Sequence, residues 1–331
     1  MGRVFQTLGL SFGLSLFAGA ALAEGWSCRH IQVQDALTGA FVEGIEDIAW
    51  DEGRARFYLS AYNRRVEGAY GAVYILDEAR LNDGLLQAKA LHVEGSLRPH
   101  GITYDGQSLW VVDRESLPHR PVIRQFQIED MTLRSVFGKG GEAVCHANDV
   151  AVLGDKLYAT NDRNSCSGFG AWFAQIFGTA NGQVKRLDQD WEPLGPEIRF
   201  ANGIAPWKGG LMVSATRAGK LHHMDSDGIL LRSYDLEAAP DNLSVGDDGA
   251  LYFTGFDSLI GYAWFRSDKA NRSDAPSAVF RLNKDDEIEK LDLQPQDLPA
   301  GATVVVRLKD YLLIGSAFDH GLGLCRAKED G

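Results

Sequence analysis

The chain has 331 residues and a net charge of −12, with 45 acidic against 33 basic side chains. An acidic balance without a run of Lys or Arg excludes a nucleic-acid-binding footprint and attraction to anionic membrane surfaces. Length alone leaves one large domain or two small ones open.

Residues 1–23 stand apart from the rest. Arg3 precedes an apolar stretch from Leu8 to Leu22, which closes on Ala21-Leu22-Ala23. This is the layout of a secretory signal with a small-residue cleavage site, too short and wrongly flanked for a membrane span. The expectation is cleavage after Ala23 and a secreted or periplasmic chain with no membrane span, forming one domain over 24–331. Cys28, Cys145, Cys166 and Cys325 are even in number, as disulfides in an oxidising compartment require; three connectivities are open. Were Cys28 joined to Cys325, Cys145 and Cys166 would close a smaller loop beside Asn148-Asp149.

From Cys28 onward, short runs rich in Val, Tyr, Phe and Leu alternate with Gly, Asp and Asn. Arg56–Ser60, Ala72–Leu76, Ser108–Val112, Lys156–Thr160, Gly210–Ser214, Ala250–Thr254 and Tyr311–Gly315 carry the strand signature. Asp105-Gly106, Asp227-Gly228 and Asp248-Gly249 mark tight turns. A lone strand over His30–Val33 could complete the sheet that ends near Cys325. One segment departs from this texture: Gly168–Gly178 holds Trp172, Phe173, Ile176 and Phe177 at helix-compatible spacing. It reads either as packing on its own sheet or as an apolar wall over a site.

A second regularity overlies the strands. Glu46-Asp47, Pro99-His100-Gly101-Ile102, Asn148-Asp149, Asn202-Gly203-Ile204 and Asp241-Asn242 each open an apolar strand with an oxygen-bearing or imidazole side chain. Units begin near 44, 99, 146, 200, 240 and 301, a spacing that reads as an all-β, six-bladed β-propeller. The innermost strands of a propeller line its channel, so these openings would face one another. Together they form a ring of hard oxygen donors of the kind calcium takes. His222-His223 lacks a third partner at metal-ligand spacing, and His146 stands two residues before Asn148, near the expected mouth.

Taken in order, these residues resemble the serum paraoxonase/arylesterase family, a relative of gluconolactonases and strictosidine-synthase-like proteins. The resemblance runs from about Cys28 to Cys325. It implies a calcium-dependent hydrolase of lactones and aryl esters, with two Ca²⁺ ions and a small-molecule lactone or ester as partner. By position, Glu46, Asn148, Asn202, Asp241 and Asn242 match the ligands of a catalytic ion. Asp47, Asp149 and the carbonyl of Ile102 match those of a structural ion. Adjacent residues of an extended chain point to opposite sides, so Glu46-Asp47 and Asn148-Asp149 could each serve both. His100 matches the family's active-site histidine, with Glu46 or Asp241 as rival bases. Cys28 and Cys325 match its blade-closing disulfide. Its second histidine falls on Arg114, and His119 fits only with an insertion. Two other readings remain: a sugar lactonase, and a non-catalytic, calcium-stabilised binding propeller.

Overall fold

The structure, a computed structural model, describes residues 25–93, 95–114, 121–129, 131–140, 142–164, 182–267, 277–294 and 298–328. The expected leader, His119, Cys166 and the apolar 168–178 segment lie outside them. The described chain is all-β apart from one α-helix, Leu259–Arg266, and short 3-10 turns. No described helix is long and apolar enough to cross a membrane.

Strands pair antiparallel with their chain neighbours in groups of four. In the first group, Glu43–Asp51, Arg56–Ala61, Ala72–Asp77 and Leu86–Ala90 follow one another. The next groups begin with Pro99–Tyr104, Ala147–Leu153, Ala201–Trp207 and Ala239–Val245. The last runs Ala302–Leu308, Tyr311–His320, Leu322–Ala327, and its fourth strand comes from the other end of the chain, Trp26–Ile31. Each first strand lies beside the first strand of the next group, and Ala302–Leu308 returns to Glu43–Asp51. The first strands therefore close a ring, and the architecture is a β-propeller.

Hydrophobic burial fills the spaces between groups rather than one central core. Tyr58 and Val73 pack with Val111 and Phe126. Tyr158 and Val184 pack with Leu211 and Val213, and Leu221 with Phe253 and Phe280. This is what sheets apolar on both faces need, each covered by its neighbours. The Asp-Gly turns form where expected, with Gly106, Gly228 and Gly249 at φ of 93°, 85° and 74°, a backbone region that glycine enters without steric cost.

Closure differs from the expected lone strand at His30–Val33. The strand starts earlier, at Trp26, and pairs with Leu322–Ala327 only as far as Ile31. After Gln32 the chain crosses to the first group, where Val33–Asp35 pairs parallel with Leu86–Ala90. The same few residues thus belong to both flanks of the ring's closure, because alternating burial (Ile31, Val33 and Asp35 buried) continues through the crossing. Cys28 is opposite Cys325 in register and bonded to it across 297 residues. Cys28→Ser is expected to cost up to about 6 kcal/mol, the loop-entropy scale for a loop this long. Thermal melting with and without reductant checks this; a variant that melts with oxidised wild type would show that strand pairing alone holds the ends.

Candidate active site at the ring of strand openings

The expected site residues fall at the start of the ring's first strands. Glu46 and Asp47 lie on Glu43–Asp51, His100 on Pro99–Tyr104, and Asn148 and Asp149 on Ala147–Leu153. Asn202 lies on Ala201–Trp207, and Asp241 and Asn242 on Ala239–Val245. All eight side chains are buried, 1 to 7 % exposed.

Local backbone geometry explains how a strand turns such polar groups inward. Each first strand slips register with its partner at the site residue: between Ile45 and Asp47, Pro99 and Ile102, Ala147 and Val150, Ala201 and Ile204, and Pro240 and Leu243. A bulge adds a residue on one strand, bends it and re-aims its side chains. The backbone N–H groups it frees are then taken up by carboxylates. Asp47 accepts from Ile48 N at 2.9 Å and, across the ring, from Ile102 N at 2.7 Å. Asp149 accepts from Val150 N at 2.7 Å and from Ile204 N at 2.8 Å. Two acids thus brace four neighbouring strands in two pairs.

The strands also approach closely. A Cβ built on Gly101 would stand 2.4 Å from Asp149 Oδ1 and 2.5 Å from its Cα, and one on Gly203 would meet Asp241 O at 2.6 Å. The glycine after His100 and after Asn202 is therefore the residue that lets adjoining openings touch. Gly101→Ala is expected to destabilise by about 2 kcal/mol through overpacking against a backbone that cannot yield; an unchanged melting temperature would show that the strands have slack.

Hydrogen bonding leaves a pattern of its own. Asn242 Nδ2 donates to Glu46 Oε1 and to Glu46 O, both at 3.1 Å. Asn202 Nδ2 donates to Thr216 Oγ1 at 3.0 Å and to Asp241 Oδ1. The Asn202 and Asn242 amide nitrogens are thus spent on the protein, while Asn148 Oδ1, Asn202 Oδ1 and Asn242 Oδ1 are buried and accept no hydrogen bond, and Glu46 Oε2 faces His100 Nδ1 at 3.0 Å. Buried polar atoms are normally satisfied. Three orphaned amide oxygens beside the Glu46 and Asp241 carboxylates form a donor set that fits calcium, which takes neutral amides and carboxylates together. Among the described residues no three His, Cys, Asp or Glu side chains gather as a metal cluster; amides make up most of the set.

Electrostatics agree with an excess of buried acid. Burial raises Asp47 well above its ordinary value, and Asp149 and Glu46 nearby add to it. Burial also pushes Asp149 up to about 8, against its two backbone N–H partners. Asp241 is raised by burial and by Glu46. Burial opposes ionisation of Glu46 too, but His100 Nδ1 at 3.0 Å, Arg64 and Asn242 outweigh it and bring the carboxyl to about 2. Burial and Arg114 lower His100 to about 3, against the pull of Glu46. Near neutral pH the pair is a carboxylate beside a neutral imidazole.

Several participants were not singled out by sequence reasoning. Arg64 Nη2 lies 3.2 Å from His100 Nδ1 and 4.0 Å from Glu46 Oε2. Thr303, on the ring strand without an expected ligand, donates to Glu46 O at 2.9 Å. Helix Leu259–Arg266 brings Tyr262 against Phe256, ring centroids 3.8 Å apart, and against Phe318 at 6.2 Å. Burial raises the Tyr262 hydroxyl, and Asp241 is the acid that adds most to the rise, which places this ring at the mouth. Arg114 was read as standing where the second histidine belongs, and it lies within electrostatic reach of Glu46 and Arg64. By contrast, His222 meets Ser233 on outer strands, and His223 meets the Trp207 carbonyl at the end of its ring strand opposite the site residue Asn202. His146 Nδ1 is 3.2 Å from Arg163 Nη2. Cys145 is disulfide-bonded. Two surface concavities of about 560 and 670 Å³ lie around Arg54, at the far ends of the strands, and include none of the site residues.

No protein-family model and no curated protein matches the chain. Solved structures do. A gluconolactonase from Xanthomonas campestris aligns at 16 % identity with a TM-score of 0.57, over 93 % of this chain and 98 % of that one. A calcium-binding protein, regucalcin, from Agrobacterium tumefaciens strain C58 aligns at 13 % identity and TM-score 0.52, over 86 % and 90 %. The PQQ-bound form of an aldose sugar dehydrogenase from Streptomyces coelicolor aligns at 12 % and 0.56, over 92 % and 99 %. Lactone hydrolysis and sugar oxidation both stand among these neighbours, so the likeness is one of fold, and the chain shares the β-propeller of the gluconolactonase and regucalcin structures.

Proposed function

We propose that the protein is an exported, calcium-dependent lactone hydrolase of the gluconolactonase kind, a six-bladed propeller whose blades are the paired strand groups. The observation that carries this reading is the set of orphaned buried amide oxygens on Asn148, Asn202 and Asn242 beside the Glu46 carboxylate. With Asp241 they would hold one ion. Asp47 and Asp149, two like charges buried near each other, would hold a second with the Ile102 carbonyl. When bound, calcium would polarise a substrate carbonyl and offset charge developing on its oxygen.

The chain's own residues supply the proton chemistry. Glu46 engages His100 at Nδ1, which leaves Nε2 to draw a proton from an attacking water. Arg64 and Thr303 hold Glu46 in place. The sugar-lactone substrate class draws support from the names of the structural neighbours and from the polar, arginine-flanked mouth. Aryl esters, which the paraoxonase resemblance adds, draw support from the aromatic cluster of Phe256, Tyr262 and Phe318.

The test is hydrolysis of an aldonolactone, an acyl lactone and phenyl acetate by purified protein, before and after chelation and with calcium restored. Aldonolactone turnover lost on chelation and regained with calcium is expected, with metal content falling and recovering in parallel. Turnover that survives complete metal removal ends the proposal.

A further inference from the structure

The mouth of the ring holds more positive charge than its neighbours use. The Arg64 side chain is 8 % exposed. It stacks on Tyr62 at 4.0 Å and donates to Gly44 O at 2.9 Å and to Pro99 O at 3.3 Å, and its Nε is buried without a partner. Among the described residues its one carboxylate within 4.0 Å, Glu46, already serves His100 at 3.0 Å, and Asp241 lies farther off but within electrostatic reach. Arg114, from the adjoining group, donates to Ala147 O at 3.2 Å, a carbonyl beside Asn148. The acids within its reach are that same Glu46 and Asp162, and Asp162 is ion-paired with Arg163 at 2.9 Å. Two guanidiniums therefore converge on His100 with one shared carboxylate between them. A partly buried cation held mainly by backbone carbonyls is costly unless an anion completes it. A calcium ion drawing on Glu46 would leave that carboxylate still less to share.

The geometry points to a substrate that itself carries a carboxylate, received by Arg64 and Arg114 beside the reacting carbonyl. This rests on the lactone-hydrolase reading and narrows its substrate class to anionic lactones. Guanidinium pairs suit the role because their planar forks match a carboxylate with two parallel hydrogen bonds.

The test compares γ-butyrolactone bearing a carboxylate next to the ring oxygen with the corresponding carboxamide, using calcium-loaded protein. Wild type is expected to favour the carboxylate by about 100-fold in kcat/KM, and Arg114→Gln to lose most of that preference, read as the ratio of the two lactones so that a loss common to both through a changed His100 cancels. Should Arg114→Gln fail to fold, Arg114→Lys, which keeps the charge and loses the fork, is expected to lose about 10-fold on the carboxylate alone. Equal turnover of both lactones by wild type, or equal losses in the variants, overturns the proposal. If neither lactone is hydrolysed, the enzyme reading fails separately, and calorimetry with the ring-opened hydroxy diacid decides this one. Binding abolished by Arg114→Gln upholds the anion site; no binding to wild type removes it.

Discussion

Asp149→Ala is expected to lower stability by about 2–6 kcal/mol, because two buried N–H groups lose their acceptor at roughly 1–3 kcal/mol each. Those groups are Val150 N on its own strand and Ile204 N on the next, and Gly101 packs against the same carboxylate. For a chain of this size the melting temperature should fall by about 5–15 °C. Asn148→Ala, one residue earlier, removes an oxygen that accepts no hydrogen bond, so its cost in metal-free protein should stay below about 1 kcal/mol. The contrast separates brace from ligand. Asp149→Asn keeps the shape and one acceptor oxygen, and should recover part of the lost stability while still losing calcium. Equal destabilisation by Asn148→Ala and Asp149→Ala would refute this division between the neighbouring residues.

Glu46→Gln should have the largest effect on activity. It retains size and one acceptor oxygen but removes the anion beside His100 Nδ1 and Arg64. Lactone turnover is expected to fall by roughly 1000-fold, since the base loses its orienting partner and the ion one of its charged ligands. His100→Gln isolates the first of these: about 100-fold slower hydrolysis with calcium content unchanged. Calcium retained in full by Glu46→Gln would remove it from the ligand set. An unaffected rate in His100→Gln would pass the base role to Glu46 or Asp241.

The ring of openings was legible because its signal is periodic. Asn148-Asp149, Asn202 and Asp241-Asn242 stand in one phase of successive strands, and phase survives where no single residue persuades. Units expected near 44, 99, 146, 200, 240 and 301 begin at Glu43, Pro99, Ala147, Ala201, Ala239 and Ala302. The bulges were not legible: a strand with one extra residue keeps the same composition, and only pairing reveals the slip. Arg64 and Tyr262 were missed because they reach the mouth from a loop and a helix outside the repeat. The His30–Val33 strand does complete the sheet that ends near Cys325, but its bounds were misplaced for a related reason. Alternation reports burial, and Ile31 and Val33 are both buried while belonging to different sheets. Arg114 was found by position, yet its meaning needed Arg64 beside it.

The stitched closure bears on synthesis. Trp26–Ile31 emerges before every other described strand and must wait for Leu322–Ala327, the last of them. Until then the growing molecule is an open arc with two bare strand edges, and the rest of the sheet ladder can be complete while both remain exposed. Such edges are templates for pairing with another copy. The hazard is greatest just before completion, when a neighbouring arc's final strands offer Trp26–Ile31 the same partner its own chain has yet to deliver. Joining ends between copies would yield exchanged dimers or chains of rings. Crowded expression should therefore favour linked oligomers of native-like subunits, and dilution at the moment of folding should favour the monomeric ring.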